Sequence, residues 1–350
     1  MRSVLLNTLV GSVGYCCNPD MSDPTTLLNQ AALAVQAGFG AVWVSDHFHP
    51  WFHTEARESN AWVWLSTALE RIKNIPFGTA ITSPILRYHP GLVAQVFATM
   101  EAMHGNRVIL GVGTGEAMNE VPLGFQWPSL AVRRAMLEES IQLIRKLWQE
   151  EFVDFRGQFF TLNKANLYMK SKVPIFVSGF GPKMARIAGA RGDGFITGMK
   201  PNEYIRNVLF PALDEGAKAV GKSLDDIVKT VEIDLAYDED YGKALATVRK
   251  WSGGAVPNIF SKAISDPREI EDLGKSVTDK ELSETYLIAT SPEDCIRTIE
   301  QSFESGFDHV YIASSSPDEE KTIATYREKV LPYFNAENTR GRPNVHKNRR

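Results

Sequence analysis

Ala41-Val42-Trp43-Val44-Ser45-Asp46-His47-Phe48-His49-Pro50-Trp51 changes character partway along. Its first four residues are wholly apolar. The remainder is more polar, carries two histidines and is broken by a proline. A strand with one wet face alternates apolar and polar residues. A strand covered on both faces, as in a parallel sheet wrapped by helices, reads instead as an unbroken apolar run. Similar short runs recur at 10–15, 77–82, 108–113, 175–178, 194–197, 231–236 and 310–313. With 41–45 they predict eight strands. Helical patterns lie between them, so the expected fold class is α/β, a (β/α)8 TIM barrel. A doubly wound open sheet is the rival arrangement.

The intervening helices have readable punctuation. Leu137, Ile141, Ile144 and Trp148 recur at helical spacing and mark one buried face. Ser291 is suited to cap a helix opened by Pro292, with Glu293 and Asp294 in its first turn. Ile296, Ile299 and Phe303 line its face, and Gly306 marks its end. Two longer stretches, 114–131 and 251–285, interrupt the rhythm. In a barrel, long loops after strands build the active-site face.

The chain has 350 residues, a formal net charge of −4 and 43% hydrophobic residues. A barrel of this size forms one domain, expected over residues 1–337. A disordered basic tail is expected over 338–350. The charge balance points to neither nucleic acid nor an anionic membrane surface as partner. No apolar stretch is long enough to span a bilayer. The run after Met1-Arg2 lacks a signal-peptide cleavage site, so a cytoplasmic location is expected. Cys16, Cys17 and Cys295 suggest packing residues rather than a disulfide framework.

At the end of a barrel strand, Asp46-His47 and Trp51 stand where catalytic groups sit. Histidine is the natural proton carrier near neutral pH. Taken alone, the segment fits equally a packed loop with a structural histidine. His47, His49 and His53 lack a supporting carboxylate pattern, so no metal is expected. Gly111-Val112-Gly113-Thr114-Gly115-Glu116 departs from the dinucleotide fingerprint by one residue. Its glycines would let the backbone approach a flat cofactor, and Glu116 could act as an acid or lie on the surface. Thr79-Ala80-Ile81-Thr82-Ser83-Pro84 reads as a strand ending in a turn. Lys200 and Lys262 are ordinary surface charges unless the barrel mouth receives a phosphate.

Taken together, Asp46-His47-Phe48-His49-Pro50-Trp51, Arg87-Tyr88-His89-Pro90, Gly115-Glu116-Ala117-Met118-Asn119-Glu120 and Trp127-Pro128-Ser129 resemble the luciferase-like oxidoreductases that use coenzyme F420, an 8-hydroxy-5-deazaflavin. The resemblance spans about residues 8–335 and touches two branches, secondary alcohol dehydrogenases and glucose-6-phosphate dehydrogenases. It implies a homodimeric barrel with insertion segments and a non-prolyl cis peptide between Ala80 and Ile81. It implies His47, Trp51 and Glu116 as catalytic residues. It places Asp46, Ala80, Ile81, Ser83, Thr114, Gly115, Asn119, Ser178 and Gly179 around the cofactor. Lys200 and Lys262 would face a substrate phosphate, but Thr285 stands where an arginine would complete that pocket. The resemblance therefore favours a secondary alcohol or ketone as substrate. A sugar 6-phosphate is the alternative, and an FMN-dependent monooxygenase a more distant one.

Overall fold

The computed structural model describes residues 2–334. Eight parallel strands close on themselves. They are β1 (Ser12–Cys17), β2 (Val42–Val44), β3 (Phe77–Thr79), β4 (Val108–Val112), β5 (Ile175–Ser178), β6 (Gly194–Gly198), β7 (Val228–Tyr237) and β8 (His309–Ser314). Each pairs with the next, and β8 returns to β1, with Gly14 opposite Tyr311. That closure makes the sheet a barrel and rules out the open-sheet alternative. Helices cover its outside, as the unbroken apolar runs require.

The inner face of the barrel is packed by Cys16, Trp43, Ile109, Phe176, Ile196, Val228, Tyr311 and Ala313. Trp43 fits because Gly78 faces it. A Cβ on Gly78 would lie 2.5 Å from the indole ring. Leu5, Leu6 and Leu9 join this cluster from a helix at Val4–Leu9, capped by Ser3. The apolar run before β1 is thus a helix and then a strand, and its leucines plug the barrel floor.

Leu130–Gln149 is a helix with Leu137, Ile141, Ile144 and Trp148 buried. Pro292–Glu304 is another, with a capping box between Ser291 and Asp294. Cys16, Cys17 and Cys295 are buried and free. An antiparallel hairpin of Val153–Arg156 with Thr161–Ala165, and a short strand Leu287–Ala289 beside β7, were not legible as strands. In the hairpin turn, the Glu139 carboxylate accepts the N–H groups of Gln158, Phe159 and Phe160. That satisfies the backbone through a distant side chain, which no local pattern announces.

The two long stretches sit over the C-terminal mouth of the barrel. Met118 from the first and Val256, Ile259, Ile270 and Leu282 from the second pack with Trp51 and Phe52. The Ala80–Ile81 peptide is cis. Among the described residues no helix is long and apolar enough to cross a membrane. The expected tail at 338–350 lies outside the described residues.

Candidate active site

Four strand ends deliver side chains to one point. Past β1 comes Asp20, past β2 Asp46 to Trp51, past β3 Ile81 to Ser83, and past β4 Gly113 to Glu116. His47 lies at their centre. Its Nδ1 is 3.5 Å from Asp20 Oδ1 and 3.9 Å from Glu58 Oε2. On the other side its Nε2 is 3.4 Å from Glu116 Oε2. Trp51 stands edge-on to the imidazole with ring centroids 6.4 Å apart. The Trp51 backbone N–H donates to Asp20 Oδ2 at 2.9 Å, tying the loop after β2 to β1. The three residues expected to be catalytic are therefore together.

The charges around His47 set its protonation. Burial alone would strip the ring of its proton. Glu116, Asp20 and Glu58 outweigh burial and push its pKa up to about 10. Burial raises Glu116 while the charged imidazole pulls it down. Burial, and then the charge on Asp20, push Glu58 up to about 8. With its pKa held that high, the ring is an imidazolium at neutral pH, a proton donor set among acidic side chains. Asp20 and Glu58 went unnoticed in the sequence. Asp20 follows the end of β1, a position that could have flagged it. Glu58 lies in an irregular loop, and only the fold brings it to the ring.

Asp20, His47 and Glu58 also form the one group among the described residues whose ligand atoms, all within 4.8 Å, could share a metal ion. The other two histidines point elsewhere. The His49 ring meets the Ser265 carbonyl at 3.1 Å, and the His53 backbone N–H donates to Glu271.

Behind His47 the network is rigid. Arg87 donates through Nη2 to the Asp46 carbonyl at 2.7 Å and to its carboxylate at 3.0 Å. Its backbone N–H donates to Glu120 Oε2 at 2.8 Å. Thr82 donates to the other Asp46 oxygen at 2.6 Å. The Asp46 side chain is thus turned toward Arg87 and Thr82. Asn119 accepts from the Phe48 N–H at 2.7 Å and donates to Glu116 Oε2 at 3.0 Å. It locks the loops after β2 and β4 together.

Beside this cluster the segments after β3 and β4 meet in a seam through glycines. A Cβ on Gly113 would lie 3.1 Å from Ile81 Cγ2. One on Gly115 would lie 2.5 Å from Ser83 Oγ, and φ there is +68°. Ser45 Oγ, Ser83 Oγ and Trp127 Nε1 are buried without protein partners. Glycine at 113 and 115 thus lets Ile81 and Ser83 pack directly on the backbone, and the unused hydroxyl and indole groups are suited to a ligand with polar rims. Ala80, Ile81, Ser83, Thr114 and Gly115 belong to this seam. Ser178 and Gly179 stand at the end of β5, next but one to Ile81, where the Gly179 N–H donates to the Ile196 carbonyl at 3.0 Å. Gly115→Ala is expected to lower stability by about 1–2 kcal/mol, because an L-residue is strained in the left-handed region. Denaturant unfolding measures this, and an unchanged midpoint would contradict the strained geometry.

The mouth is mixed. Trp51 meets Phe260 edge-on, and Phe260 lies tilted against Phe180, with centroids 5.3 and 5.6 Å apart. Lys200 lies over the Phe180 ring at 5.7 Å. Lys200 and Lys262 are exposed. Thr285 is exposed at the end of the helix Asp279–Thr285, its hydroxyl donating to the Glu281 carbonyl. Deeper in, Val228 belongs to the inner cluster, so alternation along β7 turns Glu232 and Asp234 inward too. Both are partly accessible. Burial pushes Glu232 up to about 8, with Asp234 adding to it, and Asp234 up to about 6. Among the described residues neither has an ion-pair partner within 4.0 Å. These two carboxylates were overlooked because a charged pair in an apolar strand reads as its solvent face.

A closed barrel with its polar cluster at the strand ends defines the class, and the chain belongs to the luciferase-like monooxygenase family, whose profile matches residues 12–309. Within it, the chain is 36% identical to the F420-dependent glucose-6-phosphate dehydrogenase of Amycolatopsis mediterranei, over 93% of this chain and 98% of that protein. The F420-dependent glucose-6-phosphate dehydrogenase of Intrasporangium calvum is also 36% identical, over 91% and 98%. Among solved structures, an F420-dependent secondary alcohol dehydrogenase in complex with an F420-acetone adduct superposes with a TM-score of 0.88 at 40% identity, covering 91% of this chain and 98% of that one.

Proposed function

We propose that this chain is a coenzyme F420-dependent oxidoreductase acting on CH–OH groups, and that it interconverts a secondary alcohol and its ketone. The observation that carries the reading is the His47 ring, held among acidic side chains beside the seam of Ile81 and Ser83 with Gly113 to Gly115. When bound, the deazaflavin supplies the hydride chemistry. Ala80, Ile81, Ser83, Thr114, Gly115, Asn119, Ser178 and Gly179 would hold it, with Asp46 braced behind them. The chain's own work is with the proton. In the reductive direction the His47 imidazolium gives its Nε2 proton to the substrate oxygen. In the oxidative direction the neutral ring takes it. Proton transfer from a positioned group is typically worth 10²–10⁴-fold in rate. Glu116 faces the same nitrogen, where it can steady the charge, and the Trp51 indole can donate to the substrate oxygen.

The pocket wall supports an uncharged substrate. Trp51, Phe260 and Phe180 offer apolar surface. The Asp234 carboxylate would repel a dianionic phosphate inside the barrel, and Thr285 supplies no guanidinium fork. Lys200 at the mouth, and the relatives named for glucose 6-phosphate, support the second reading, a sugar 6-phosphate substrate. Absorbance decides between them. Loss of the oxidised deazaflavin band with 2-propanol and not with glucose 6-phosphate is expected. The opposite result would overturn the assignment. An FMN-dependent monooxygenase would instead need FMN and oxygen for turnover.

A further inference from the structure

Three buried polar atoms without protein hydrogen-bond partners converge behind the His47 ring: its own Nδ1, Asp20 Oδ1 and Glu58 Oε2. Asp20 is fully buried. Its backbone carbonyl accepts the Arg57 N–H at 2.9 Å, which fixes the loop carrying Glu58. The second Glu58 oxygen accepts the Ser59 N–H at 2.9 Å, so the carboxyl is aimed from both ends. Two carboxyl groups at this depth need a compensating cation. Among the described residues His47 is the one ion-pair partner of either.

We propose that Glu58 is a positioning residue that, with Asp20, clamps the Nδ1–H of His47 and keeps the ring in its proton-donating form, so that carbonyl reduction is the direction this site runs directly. This inference rests on the alcohol–ketone reading. As hydride reaches the carbonyl carbon from reduced F420, the C=O π pair moves onto oxygen. The Nε2–H bond breaks and the O–H bond forms. The ring is left neutral, with Nδ1–H still on Asp20 and Glu58. In the reverse direction the imidazolium must first lose its Nε2 proton before it can accept one from the alcohol.

The titratable groups facing the pair come from the ends of β1, β2 and β4, from the loop that carries Glu58 and from β7. Asp20, Glu58, Glu116 and Asp46 surround His47, and Glu232 acts on it from β7. Asp20, His47 and Asp46 act on Glu58. Above a pH of about 8 Glu58 is a carboxylate, and its charge helps hold the His47 proton to about 10. The donor form is thus present below that upper value and is lost as pH rises through it.

The test uses Glu58→Gln, with Glu58→Asp as the conservative control. NMR titration of the His47 ring in cofactor-free protein should show its midpoint lower by about one unit or more in the glutamine variant. The aspartate variant should restore part of that shift. The alkaline limb of ketone reduction should move down by the same amount, lowering the rate near pH 9.5 by up to about tenfold. F420 affinity should stay where it is. An unmoved His47 midpoint in a folded glutamine variant would overturn the proposal. If the wild-type protein turns over no alcohol or ketone, the substrate reading fails. The NMR titration still decides whether Glu58 controls the ring.

Discussion

Replacing His47 with alanine is expected to lower turnover about 10²–10⁴-fold while leaving F420 affinity largely intact. The two halves of this expectation come from different parts of the site. The imidazole is the group within 3.4 Å of Glu116 and framed by Trp51 that can carry a proton near neutral pH. Without it, water or Glu116 must protonate the substrate oxygen. Glu116, no longer pulled down by the imidazolium, can partly supply that proton, which sets the residual rate. The seam of Gly113 to Gly115 with Ile81 and Ser83 is packed without the ring. Steady-state rates and a fluorescence titration with F420 measure the two quantities separately. An unchanged rate would remove His47 from the chemistry. A parallel collapse of rate and affinity would make it a structural residue.

The fold was legible where burial on both faces left a continuous apolar signal. All eight barrel strands were expected, and their ends differ from expectation by up to three residues in the structure. The Leu130–Gln149 and Pro292–Glu304 helices were legible through their spacing and caps. The Val153–Arg156 hairpin was not. Its turn is organised by Glu139, far away in sequence, so no local turn signal exists to read. The site divides the same way. His47, Trp51 and Glu116 stand at strand ends, and a barrel makes strand ends chemical. Glu58, Glu232 and Asp234 have no such address. Their meaning comes from what the closed barrel brings opposite them. A carboxylate in an irregular loop and two in a strand are, in one dimension, simply polar residues. The same closure changes how the cofactor residues read. Asp46, expected at the cofactor, has its carboxylate bound by Thr82, Arg87 and Tyr88. It braces the end of β2, and with it His47.

That brace predicts a large effect on stability. Arg87→Met should lower it by about 3–5 kcal/mol, the range for breaking a buried ion pair by removing one partner. Arg87 and the two acids are almost completely buried, with side-chain exposures of 4% for the arginine and 0% for Asp46 and Glu120. Methionine keeps the length and stem of the side chain, so the loss isolates charge and hydrogen bonds. Left unpaired, both acids would take up protons. Burial already pushes Asp46 above its usual value and Glu120 up to about 7, and Arg87 is a force pulling both down. In the variant their folded-state pKa values rise further above those of the unfolded chain. A carboxyl so raised costs stability at high pH, and the cost fades as pH falls toward the unfolded value, near 4 for these groups. The gap in stability between wild type and Arg87→Met should therefore be widest near pH 8 and narrow toward pH 5. Denaturant unfolding at the two pH values measures it. A gap that stays constant would mean the loss comes from packing, including the guanidinium's place 4.7 Å from the Tyr88 ring, rather than from stranded charge.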